Sequence, residues 1–392
     1  QLTLPLHWQL EENILHDRSV ENHVKIKLSK GLKCPLSPCQ SILSENLFPD
    51  PKWGESPPPL EFSTEASFQV FVQDVEVVLK EQLKELPYNT VGNFLKFYED
   101  FKQQDTLSLL PFFVQYKPKI VPGSLTCVGL SFSLISSILV SHIGKVFPEM
   151  KSILFLASCE EMITEFNFID FSYLPKTDKG LKEHVLVAVK IKLKNRDGVI
   201  VLDPGYHVGI PVIVMADEQY PHTGWFVQSE TKKSRKEYCY TLHQNLKYVN
   251  WTVRETRSGK TTVWGNLIYV GSKYLAHVSV SEKRNLVYNF RTLVVRDGNQ
   301  PVAGLYCVLG GNARCTIFYR DMLGERAECK IPLGYFISSQ LNLEYEHALD
   351  ACTDQLKCNI SYLKTLLKKV AEANLDDDFM PIVLQINSKL EE

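Results

Sequence analysis

Apolar residues recur at three- and four-residue steps in ASFQVFVQDVEVVLKEQLKEL, where Phe68, Val70, Phe71, Val75, Val78 and Leu79 would share one face of a helix. A second helix is predicted over TVGNFLKFYEDFKQQ. The stretch that follows, GSLTCVGLSFSLISSILVSH (123–142), carries no charged side chain. Pro122 and Gly123 break the chain ahead of it, and Ser124 or Thr126 can cap a third helix there, which puts Cys127 in its first turn. Burial on most sides would explain the apolar remainder of that helix. Afterwards the pattern turns strand-like, in SILFLASC (152–159), HVLVAVKIKL (184–193) and GVIVLDPGY (198–206), rich in β-branched residues and bounded by polar or Gly-containing turns. Helices followed by antiparallel strands predict an α+β fold.

Beyond about Pro221 short strands are predicted at EYCYTLHQ, YVNWTVRET, TTVWGNLIYVG, KYLAHVSVS, LVYNFRTLVVRDG, AGLYCVLGG and ARCTIFYRD. The intervening turn signals RSGK, RDGN and GGNA make this a meander or barrel-like β region. From about Ser338 helix returns, and SYLKTLLKKVAEANL sets Leu363, Leu366, Leu367 and Val370 on one face. Residues 1–62, with LSKGLKCPLSPCQ and PDPKWGESPPPLEF, read as extended segments wrapped on a core. The expected organisation is therefore an N-terminal extended and helical part (1–117), a core (118–220), a β-rich region (221–337) and a C-terminal helical segment (338–392).

The chain of 392 residues has 43 Lys+Arg against 45 Asp+Glu, a net charge of −2. That excludes a broad basic field, so neither nucleic acid nor an anionic membrane surface is an expected partner. The one basic run, KKSRKE (232–237), reads as a solvated loop. Between Lys119 and His142 lie 22 uncharged residues, but Pro122, Gly123 and several Ser and Thr argue against a stable membrane span. The ten cysteines form no CxxC pair and no closely spaced Cys/His quartet, so no metal site is expected. Scattered thiols suit a reducing compartment, and the cytoplasm is the expected location. A processed N-terminus at Gln1 and sequons at Asn250 and Asn359 keep secretion open.

A thiol at a helix N-terminus meets the positive end of the macrodipole, which favours thiolate and stabilises a developing oxyanion. Such a nucleophile needs a base, and the base a partner that fixes its tautomer. His184 opens one strand 57 residues after Cys127, and Asp203 ends the next strand 19 residues later. In an antiparallel hairpin those two positions lie at the same end of the sheet. A turn centred between Asn195 and Arg196 would set His184 opposite position 207, leaving Asp203 roughly 13 Å away along the strand. A different turn, strand coiling or a bulge is needed to close that gap, and His207 competes as the base. Tyr220, His222 and Trp225 of YPHTGWF are candidates for a substrate-pocket wall.

The order of a Cys-bearing helix, a strand opening with His and a strand ending in Asp resembles the core of transglutaminases and arylamine N-acetyltransferases, within the papain-like architecture. GVIVLDPGYHVGIPV is similar to the Asp-bearing segments of both families, and EHVLVAVKI to the His-bearing strand of the acetyltransferases. The resemblance covers about residues 110–215. It implies Cys127 as acyl-accepting nucleophile, His184 as general base and then acid, and Asp203 as its orienter. Thr126 and Val128 depart from the Gln and Trp flanking the transglutaminase cysteine, and the Arg-Gly-Gly approach of the acetyltransferases is absent before Leu125. The expected activity is acyl transfer or hydrolysis on an amide, ester or thioester, with an amine or water as acceptor. No tightly bound cofactor is expected, an acyl thioester being the donor to consider. The alternative is a catalytically silent interaction module of the same fold.

Overall fold

The computed structural model describes residues 47–162, 183–231, 234–298, 300–338 and 340–391. The chain divides after Pro49 into two compact units, and the architecture below is that of the second. Expectations for residues 1–46, including Cys34 and Cys39, and for Lys232 and Lys233 lie outside the described residues.

The unit begins with β1 (Leu60–Phe62), α1 (Glu65–Glu85), β2 (Tyr88–Asn89), α2 (Val91–Lys102), α3 (Leu109–Gln115), α4 (Cys127–Val140) and the short α5 (His142–Val146) and α6 (Met150–Ile153). Thr64 caps α1, its Oγ1 accepting the Ser67 N–H at 3.2 Å. The helix buries Phe68, Phe71, Val75, Leu79, Gln82 and Leu83, a narrower stripe than expected, since Val70 is exposed and Val78 half-buried. The uncharged helix α4 is likewise not buried on most sides. Its first turn and then Leu134 and Ile138 face inward, while Phe132 and Val140 are exposed. Among the described residues no helix is long and apolar enough to cross a membrane.

Strands β3 (Phe155–Met162), β4 (His184–Leu193), β5 (Arg196–Leu202), β6 (Val212–Met215), β7 (Phe226–Glu230), β8 (Ser234–Leu242), β9 (Tyr248–Arg257) and β10 (Lys260–Tyr269) follow. They form one antiparallel sheet in the order β6-β5-β4-β3-β10-β9-β8-β7, with β1 added parallel to β4. The sheet curls until β6 meets β8. A π-helical turn (His277–Glu282) and α7 (Lys283–Asn285) lead to β11 (Phe290–Asp297), β12 (Gln300–Val308), β13 (Arg314–Arg320) and β14 (Arg326–Pro332). These make a second sheet, β14-β13-β12-β11-β2, before a 3₁₀ turn (Leu333–Ile337) and the helices α8 (Leu343–Leu356), α9 (Ile360–Leu375) and α10 (Met380–Glu391). The fold is α+β, and residues 221–337 are divided between the two sheets: β7–β10 extend the sheet of β3–β6, whereas β11 pairs with β2 from the N-terminal part.

One expected strand is not there. KYLAHVSVS alternates like a strand, yet from His277 the chain winds into a π-helical turn that runs on into α7, with Val280 to Asn285 all buried. The β4–β5 hairpin also differs from expectation. Leu193 pairs with Arg196 and Val187 with Leu202, so the loop is the two residues Lys194 and Asn195, both left-handed at φ 48° and 66°. This is the primed turn that matches strand twist. Its centre lies between Lys194 and Asn195, one residue earlier than expected.

Asn195 tolerates the left-handed region, and a β-branched residue there does not. Asn195→Ile is expected to destabilise the protein by about 1–2 kcal/mol in urea unfolding. An unchanged midpoint would contradict the turn assigned here.

Candidate active site

Shortening the hairpin by this register shift puts His184 opposite position 205 rather than 207, so Asp203 falls only two residues away, about 7 Å along the strand. The chain then leaves the sheet in the turn Pro204–His207, closed by the Val208 N–H on the Asp203 carbonyl at 3.1 Å. Asp203 Oδ1 accepts the N–H groups of Gly205 and Tyr206, each at 3.0 Å. Its other oxygen, Oδ2, lies 2.9 Å from His184 Nε2. A carboxylate with both oxygens engaged in this way is held in one orientation.

With Nε2 on Asp203, Nδ1 is the nitrogen left for Cys127, a neighbour that helps to keep the ring protonated. Gly205 lies against both: a Cβ there would fall 2.8 Å from His184 Cε1 and 2.9 Å from Cys127 Cβ, so thiol and imidazole converge at this glycine. Cys127 is 2%, His184 3% and Asp203 0% exposed. Burial alone opposes a charged imidazole. The Asp203 charge and hydrogen bond, with a further contribution from the Cys127 thiol, outweigh it and raise His184 to about 10.

Several elements fix the thiol. Thr126 caps α4, its Oγ1 accepting the Val128 N–H at 3.3 Å. Ser131 Oγ donates to the Val185 carbonyl on β4 at 3.3 Å, and Asn89 N–H donates to the Leu125 carbonyl at 2.9 Å. The imidazole is held from its face by Tyr206, perpendicular at 4.4 Å, and Tyr206 leans in turn on Trp251, which stacks on Tyr240. The inside of the curled sheet is thus an aromatic wall behind the histidine.

Arg296, on β11, reaches across from the second sheet. It donates to the Pro204 and Leu86 carbonyls and, at 3.0 Å, to His207 Nδ1. Burial pushes this guanidinium down to about 9. Since an arginine can only donate, His207 Nδ1 accepts and its ring proton sits on Nε2. His207 therefore serves the turn, and the imidazole held by Asp203 is that of His184.

The three candidate pocket residues are not brought to this site. Arg196, which opens β5, donates to the Tyr220 carbonyl at 2.9 Å, placing Tyr220 at the hairpin end, roughly 23 Å of strand from Asp203. His222 Nδ1 accepts the Met215 N–H at 3.2 Å, and Met215 pairs with Gly198 near the same end. Trp225 is exposed beneath the Arg254 guanidinium.

Sequence reasoning missed Gly205, Tyr206, Arg296 and Cys159, the fully buried thiol that pairs with His184 across β3 and β4. Burial, followed by the charge of Asp203, drives Cys159 well above the ordinary thiol range, so it behaves as a small apolar residue. Asp-Pro-Gly pointed to a turn, but nothing in RDG marked Arg296 as buried. None of the eight described cysteines forms a disulfide. Among the described residues no group of His, Cys, Asp and Glu is arranged to hold a metal. Asn250 is buried in β9 and Asn359 is an exposed N-cap of α9, so the two sequons differ in access. Comparison with protein-family models, with curated proteins and with solved structures found no match.

A methyl group at position 205 would separate thiol from imidazole. Gly205→Ala is expected to abolish preferential alkylation of Cys127 by a mild reagent while the protein stays folded, whereas Trp225→Ala leaves it unchanged. Equal labelling in the wild type and Gly205→Ala would contradict the convergence.

Proposed function

We propose that the protein is a cysteine-dependent acyltransferase or hydrolase with a core of the papain and transglutaminase type. The observation that carries this reading is the chain of contacts from Asp203 Oδ2 to His184 Nε2 and from the same ring to Cys127 at the start of α4. The order of helix, His-bearing strand and Asp-ended strand supports the family likeness.

In this reading His184, kept protonated by Asp203, already holds the proton given up by Cys127, and the thiolate attacks the carbonyl carbon of an amide, ester or thioester. Negative charge gathering on the carbonyl oxygen is set against the positive end of α4. The bond to the leaving group breaks, His184 returns its proton to that group, and a Cys127 thioester remains. An amine or water then gives a proton to His184 as it attacks the thioester, the C–S bond breaks, and the thiol is restored. Asp203 holds the ring in one orientation, with its other N–H toward Cys127, and stabilises the imidazolium.

A catalytically silent interaction module is the second reading, and the near-complete enclosure of all three side chains favours it. Intact mass after incubation with an aryl ester or acyl thioester distinguishes the two. The enzymatic reading predicts one acyl group on Cys127, none in Cys127→Ala, and turnover reduced about 10²–10⁴-fold in Asp203→Asn. An unmodified Cys127 with every donor class, or turnover that survives Cys127→Ala, would leave the silent module standing.

A further inference from the structure

Glu282, the last residue of the π-helical turn, is 1% exposed. Its Oε1 accepts from Asn93 Nδ2 on α2, and its Oε2 accepts from the hydroxyl of Thr126, the cap of α4. Both partners are neutral donors. Lys283, next in the chain, turns elsewhere: its ammonium donates to the Val114 carbonyl at 2.8 Å and lies over the Phe113 ring.

A threonine hydroxyl has a single proton. Spending it on Glu282 leaves an Oγ1 lone pair for the Val128 N–H, so the acid sets the rotor of the cap. Cys127 is the very next residue. The titratable and charged groups on the turn and the elements packed around it are His277 on the turn itself, Cys127 on α4, and His184, Lys190 and Lys192 on β4, with Tyr274 ahead of the turn and Lys283 and Arg284 after it. An ionised carboxylate at this place complements the positive end of α4. Burial pushes the Glu282 carboxyl up to about 7, against the lowering effect of its bonds from Thr126 and Asn93.

We propose that Glu282 is a positioning residue for the thiol: through the Thr126 hydroxyl it fixes the cap of the helix that carries Cys127. The inference rests on the reading of Cys127 as the nucleophile.

The test is the rate of Cys127 alkylation by iodoacetamide against pH, measured on the full chain of the wild type, Glu282→Gln and Glu282→Met, with thermal midpoints alongside. Glu282→Gln keeps an acceptor for Thr126 and loses the charge. It should match the wild type within about twofold across the pH range, whereas Glu282→Met, which keeps no acceptor for Thr126, should be slower by about tenfold throughout, the size of a lost helix cap. If Glu282→Met does not fold, Thr126→Val removes the hydroxyl instead and should show the same loss with Glu282 intact, and a wild-type rate in Thr126→Val overturns the inference. Rates indifferent to residue 282, or Glu282→Gln slowed as much as Glu282→Met, overturn the inference alone. A wild-type Cys127 no more reactive than the other thiols overturns the nucleophile reading, and this inference with it.

Discussion

The contact on which the rest depends is the one between the Asp203 carboxylate and the His184 ring, 2.9 Å apart in a part of the protein with almost no solvent exposure. A carboxylate taken from water must be repaid in hydrogen bonds. Asp203 receives three: the imidazole and the N–H groups of the two residues that begin the turn after Pro204. A buried pair of this kind adds little net stability, because desolvation cancels most of the attraction. What it does fix is direction, with one nitrogen of the ring on Asp203 and the other turned to Cys127.

The surrounding structure brings three separate elements to this contact. The β4–β5 hairpin supplies the histidine and aspartate, and its two-residue loop sets the register that allows them to meet. Helix α4 supplies the thiol, tied to β4 through Ser131 and to the π-helical turn through Thr126 and Glu282. The second sheet supplies Arg296, which grips the Pro204 carbonyl and His207 and so holds the turn from outside. Buried polar groups in this number cost stability unless each is satisfied. Next to Cys127, the side chains of Thr126, Ser131, His184 and Asp203 are each buried and hydrogen-bonded.

Much of this was legible in sequence where a local signal coincides with a global role. The strand HVLVAVKIKL begins and ends as its β-branched run suggests, and Thr126 caps the helix with Cys127 first in it. The hairpin loop was misplaced by one residue because the real loop sets two non-glycine residues, Lys194 and Asn195, in the left-handed region, which no local signal marks. KYLAHVSVS was misjudged because tertiary burial of Glu282 and its neighbours overrides a two-residue alternation. Arg296 and Glu282 carried no signal at all, since charged residues are ordinarily solvated and only the fold shows these two sealed inside. The membership of β7–β10 in the same sheet as the His-bearing strand was also beyond reach, because strand pairing over that distance leaves no periodicity to read.

The protonation of the His184 ring is the most direct test of this arrangement, and ¹⁵N chemical shifts of its two nitrogens against pH measure it. A ring held by Asp203 and set beside Cys127 stays protonated on both nitrogens through neutrality and loses a proton only toward about pH 10. Because the folded value lies above the ordinary one, the contribution of the pair to stability is complete below about pH 6.5 and is lost as pH rises through the higher value. A His184 ring that titrates near its ordinary value of about 6.5, or is neutral throughout, would contradict the account.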